Sequence, residues 1–162
     1  MARRENWSQW WCRFLGFSAD GYHKAVEILC ERYIEESQHV TRFTQHAQRM
    51  QYPQFRDKLL QIAAEESKHV EWLAEKIRLF GGKLPKVAEI PKTEMNSWQY
   101  LLADLAEEKQ CGDELLEQIQ DVQSDLPGVT EVLKRIHDDG EKHRDAIWEM
   151  LMRSDPQSVW PA

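Results

Sequence analysis

Cysteine, proline and glycine are all scarce in this 162-residue sequence, at three, six and seven residues, and each shortage removes a class of protein. Cys12, Cys30 and Cys111 are odd in number, widely spaced and form no C-x-x-C pair. Neither a disulfide framework nor a thiolate zinc site is expected from them, and a reducing cytoplasm is the simplest setting. With so few Gly and Pro, long stretches of aliphatic, charged and Gln residues run uninterrupted, which favours helix. Basic residues are outnumbered, and the formal net charge of −7 leaves no basic face for phosphate neutralisation, so no nucleic-acid partner is expected. No apolar run approaches the roughly 20 residues of a membrane span, and no membrane partner is expected. The opening Met1-Ala2-Arg3-Arg4 leads into Glu5, Asn6, Ser8 and Gln9 instead of a continuous apolar core, which argues against a secretory signal.

What is present is helical periodicity. The length suits one domain with a real core. Trp7, Trp10, Trp11, Phe14 and Leu15 lie at helical spacing, so residues 1–19 are expected to hold a short amphipathic helix that docks on the body of the protein or on a second subunit of a homodimer. Residues 20–154 divide into four long helical stretches, about 22–50, 53–80, 97–123 and 128–153. Gln51-Tyr52-Pro53, Gly81-Gly82 and Ser124 to Gly128 punctuate them. A tail, 155–162, carries Trp160. Between the second and third stretches, residues 83–96 contain Pro85 and Pro91 and read as an extended connector. Fourteen such residues reach at most about 45–50 Å, comparable to a helix of some thirty residues. The fold expected is therefore all-α, a four-helix bundle of two antiparallel hairpins joined by a long crossover.

Several acids stand where apolar residues belong. Glu66 and His69, within Ala64-Glu65-Glu66-Ser67-Lys68-His69-Val70-Glu71-Trp72-Leu73, share a helical face with Ala63, Val70 and Leu73. Glu36 falls on the stripe of Val26, Leu29, Tyr33, Val40, Phe43 and Ala47, and Glu108 on that of Trp98, Leu101, Leu105, Gly112, Leu115 and Ile119. His143 lies inward with Val132, Ile136 and Met150. Residues equidistant from a hairpin turn lie at one height. Glu36 and Glu66 flank the turn at position 51 symmetrically, and Glu108 and position 140 flank Ser124. Burying a carboxylate without a partner costs several kcal/mol, so Glu36, Glu66, His69, Glu108 and His143 are expected to surround a cation. Mixed carboxylate and imidazole donors suit iron, or manganese.

A Glu on the first helix, Glu-x-x-His on the second, a Glu on the third and a His on the fourth resemble the di-iron pattern of the ferritin-like superfamily. The Trp72-Leu73 to Gly82-x-Leu84-Pro85 stretch is similar to that of rubrerythrin-type proteins, here with no rubredoxin module. The resemblance implies a metal-binding oxidoreductase that reacts iron with dioxygen or peroxide, peroxidase-like or ferroxidase-like, drawing on a separate electron donor. One position departs from the family: Gly140 stands three before His143, where a bridging glutamate is expected. Asp139 keeps the place of the aspartate that orients a ligand imidazole. His39, three after Glu36, and Cys111, three after Glu108, are candidates to fill the gap, although the sequence reads them first as a flank histidine and a small buried residue. Tyr33 is a core residue and a candidate to hydrogen-bond a metal-bound carboxylate. His23, His46 and His137 read as solvated. The alternatives are a non-catalytic scaffold with a degenerate site, and an oxygenase holding a small molecule beside Gly140.

Overall fold

The computed structural model describes residues 19–122 and 126–157. Four helices organise them: α1, Ala19–Arg49; α2, Pro53–Leu79; α3, Ser97–Val122; and α4, Pro127–Met152. No strand occurs among the described residues, and the all-α four-helix bundle is the architecture observed. The Trp-rich stretch 7–17 and Trp160 lie outside the described residues.

Local chemistry sets the helix ends. Pro53 and Pro127 begin α2 and α4, where the missing N–H of proline costs nothing and its fixed φ suits the first turn. At the end of α2, Gly81 adopts φ 72°. The Gly82 N–H then reaches the Ile77 carbonyl at 2.8 Å and the Gly81 N–H that of Arg78 at 2.9 Å. This paired closure satisfies two terminal carbonyls and requires the left-handed residue that glycine supplies.

α1 pairs with α2 and α3 with α4 in two hairpins. Across the hairpins α1 runs antiparallel to α3, as Lys24 to Asp121 (2.9 Å) and Arg42 to Glu107 (2.6 Å) record. The connector 83–96 has no regular secondary structure. It leaves Gly82, close to Val26 near the start of α1, and delivers Ser97, whose Oγ accepts from the Gln51 N–H at 3.0 Å. Those points lie at opposite ends of the bundle, so the connector crosses its length.

Each helix presents an inward seam at alternating spacings of three and four, the repeat of antiparallel bundles. The seam of α1 is Tyr22, Ala25, Leu29, Arg32, Glu36, His39, Phe43 and His46, continued by Met50 just past its end, all buried. It shares Leu29, Glu36 and Phe43 with the stripe expected from sequence, whose Ala47 is also fully buried, but is turned toward the Arg32 and His39 side; Val26, Tyr33 and Val40 are only half-buried. The apolar residues form two clusters. One gathers Leu29, Leu73, Ile77, Leu115, Leu133 and Ile136, and the other gathers Phe43, Leu59, Ile62, Tyr100, Leu101 and Ile147. Between these two halves the bundle has a polar waist.

Candidate metal centre

The waist is built where the four seams pass through Glu36, Glu66, Glu108 and Gly140. Glu36, His39, Glu66, His69, Glu108 and His143 are each no more than 4% exposed, so side chains that normally sit in water are enclosed together. The His69 Nδ1 lies 2.8 Å from Glu66 Oε2 and 3.1 Å from Glu36 Oε2. The His143 Nδ1 lies 2.9 Å from the other oxygen of Glu66. Glu66 is therefore the central carboxylate, shared between two imidazoles.

The outer nitrogens of both rings also face acids. His69 Nε2 stands 3.3 Å from Asp139 Oδ2, and His143 Nε2 stands 2.9 Å from Glu65 Oε2. Such contacts fix the rotation of a ring and leave its Nδ1 turned inward. Asp139 was expected in this capacity; Glu65 was not, because on α2 alone it faces away from the apolar stripe. The signal appears only when α4 is placed beside it. Trp72 lies over His69 with ring centres 5.3 Å apart, and the Arg135 guanidinium covers Trp72 at 4.0 Å, closing this side of the site.

The enclosed acids and imidazoles shift one another's protonation. Burial, then the Glu66 charge, pushes Glu36 well above the ordinary carboxylate range. Burial, then the charges of Glu66 and Glu36, does the same to Glu108. Burial acts upward on Glu66 as well, but hydrogen bonds with Glu36, His143 and His69 outweigh it and hold Glu66 well below that range. Burial disfavours the His69 imidazolium, yet its hydrogen bonds to Glu36 and Glu66 prevail and raise it to about 10. One imidazolium thus neutralises part of a three-carboxylate cluster. It makes no hydrogen bond to Glu108, whose buried Oε1 has no partner.

Glu108 borders a cavity of about 10 Å³ shared with Glu36, His39, Glu66, His69 and Cys111, room for a single water-sized particle. Gly140 forms part of its wall, and a Cβ there would stand 3.4 Å from Glu108 Oε2. Donor atoms fall within 4.8 Å of one another in three buried sets: Glu36, Glu66 and His69; His39, Glu66 and Glu108; and Glu36, His39 and Cys111. Ligands held at about 2.0–2.2 Å stand no more than about 4.4 Å apart, so each set needs at most a shift of a few tenths of an ångström to close on one ion.

Several positions differ from the sequence reading. His39 is 3% exposed and faces the waist, not the bundle flank. Arg32 is 1% exposed; its guanidinium donates to Cys111 Sγ at 3.1 Å and to Glu114 at 2.9 Å, and it pairs with Glu35. His46 is buried, not solvated, with Nδ1 2.7 Å from Asp104 Oδ1 and its ring tilted over Tyr100. His137 is half-buried at the cavity wall and His23 is exposed. Tyr33 packs half-buried against the apolar cluster that contains Leu29. Cys111 is buried, as expected.

Residues 44–154 match the ferritin-like domain family. Among solved structures, Dps92 from Deinococcus radiodurans superposes with a TM-score of 0.75 at 16% identity, over 85% of this chain and 93% of that one. A bacterioferritin of Desulfovibrio desulfuricans, solved with its diiron site in different catalytic states, gives 0.75 at 20% identity over 83% and 81%. A ferritin-like, diiron-carboxylate protein of Bacillus anthracis gives 0.75 at 15% identity over 83% and 99%. These likenesses establish the shared fold. No curated protein matches the chain.

Proposed function

Since the chain belongs to the ferritin-like domain family, we propose that its polar waist binds iron and that the protein is an oxidoreductase acting on dioxygen or peroxide. Glu36, Glu66, His69, Glu108 and His143 would hold the metal. The observation that carries this reading is the unpartnered Oε1 of Glu108, buried in a cavity also lined by Glu36, Glu66 and Glu141. A buried polar atom left without a partner costs about 1–3 kcal/mol, and a cation at that point relieves it.

Bound iron would supply the redox chemistry, with its carboxylate ligands stabilising the oxidised ion. The protein's own contribution is placement. Asp139 and Glu65 hold the outer ring nitrogens, so both Nδ1 atoms face the acids. Ligands must shed their protons to bind, so the proton shared by His69, Glu36 and Glu66 would have to leave as the metal enters. A cavity of about 10 Å³ favours a small oxidant over the organic substrate of an oxygenase. Ferrous iron itself would be the substrate of a ferroxidase, whereas rubrerythrin-like peroxide reduction would need a separate electron donor. Manganese fits the same donors. A homodimer belongs to the same proposal, with the exposed Trp148 and Met152, one turn apart on α4, as apolar surface for a second copy.

The test is metal content after anaerobic reconstitution, with the spectrum of the oxidised form. Iron at one equivalent or more, with the absorption of an oxo-bridged pair on oxidation, is expected; less than a half equivalent of iron or manganese would favour the scaffold. Faster reoxidation by hydrogen peroxide than by air identifies the peroxidase, and equal rates count against it.

A further inference from the structure

We propose that His39 is a metal ligand of a second ion position, supplying from α1 the donor that α4 lacks at Gly140. This rests on the iron-binding reading above. Gly140 occupies the inward seam of α4 between Ile136 and His143, and a side chain there would begin 3.4 Å from Glu108. With nothing there, Glu108 has one oxygen without a partner.

His39 supplies the missing contact from the opposite side. Its donor atom falls with one from Glu66 and one from Glu108 inside 4.8 Å, and all three residues are buried. The ring is not committed elsewhere among the described side chains: Nε2 stands 3.9 Å from Glu107 Oε1, beyond hydrogen-bonding reach. Cys111 is the other candidate near His39, but its sulfur already accepts from the Arg32 guanidinium at 3.1 Å. The waist then divides into two overlapping donor sets, Glu36, Glu66 and His69 for one ion and His39, Glu66 and Glu108 for the other. Glu66 belongs to both, so it would bridge.

The experiment uses the full chain titrated anaerobically with cobalt(II), followed by equilibrium dialysis with metal analysis and by the visible cobalt spectrum. Wild type is expected to take up a second equivalent. His39→Ala is expected to lose it while keeping the first, and His39→Ala combined with Gly140→Glu is expected to regain it. A second equivalent that survives in His39→Ala, or that is missing from wild type, overturns the His39 assignment and leaves the first position standing. Failure of wild type to bind any cobalt overturns the iron-binding reading as well. If His39→Ala does not fold, zinc titration of wild type labelled with 15N-histidine decides: a metal-dependent shift of the His39 ring nitrogen supports the assignment, and an unmoved resonance refutes it.

Discussion

The polar waist turns on single side chains. The His69 imidazolium is held by Glu36 and Glu66, which raise it to about 10 against an unfolded value near 6.5. A group whose folded value is raised stabilises the fold fully below its unfolded value and loses that contribution as pH rises through the folded one. In chelator-treated protein, the His69 contribution should be complete below about pH 6.5 and gone above about 10; His69→Gln should abolish this slope in urea unfolding measured across that window. Metal affinity should move the other way, rising with pH as protons leave the ligands, and isothermal titration in two buffers of different ionisation enthalpy would register the release. Gly140→Glu places a carboxylate beside Glu108. It should lower the thermal midpoint of metal-free protein and leave the stoichiometry of wild type unchanged, since His39 completes the second position; a higher stoichiometry would mean that position 140 limits occupancy and that His39 does not replace it. Glu36, Glu66, His69, Glu108 and His143 were legible in the sequence because each interrupts an apolar stripe. His39, Arg32 and His46 were not, since polar residues at a stripe's margin look exposed until a partner helix arrives. Cys111 and Glu114 enclose Arg32, and Asp104 encloses His46, and all three partners lie on α3, far along the chain.

At the scale of elements, the helix limits were readable to within a few residues because proline and glycine mark them. The rotation of α1 about its axis was not. Leu29, Glu36 and Phe43 lie at the centre of its inward face, with Ala25, Arg32, His39 and His46 on one side and Val26, Tyr33, Val40 and Ala47 on the other. Hydrophobicity favours the second side, but α3 offers hydrogen-bonding groups to the first, and satisfied polar atoms can be enclosed at little cost. The cap of α2 gives a separate expectation. Gly81 sits at φ 72°, and Gly81→Ala should cost about 1 kcal/mol in chemical denaturation by forcing a Cβ into the left-handed region. Leu133, fully buried in α4, should cost about 2–5 kcal/mol on replacement by Ala, a loss that leaves metal binding in place because Leu133 packs in one apolar half, away from the waist.

For the molecule as a whole, a ligand that binds only the folded chain stabilises it by mass action. Iron or cobalt in excess should therefore raise the thermal midpoint, and chelation should reverse the gain, with a smaller response in Glu66→Gln because that carboxylate serves both imidazoles. Each apolar half draws on all four helices, so the chain can close around hydrocarbon at both ends whether or not an ion is present. Folding and loading are then successive events. A newly made chain meeting no metal would wait as a finished vessel, its helices already aligned and its carboxylates sharing protons until a cation takes their place.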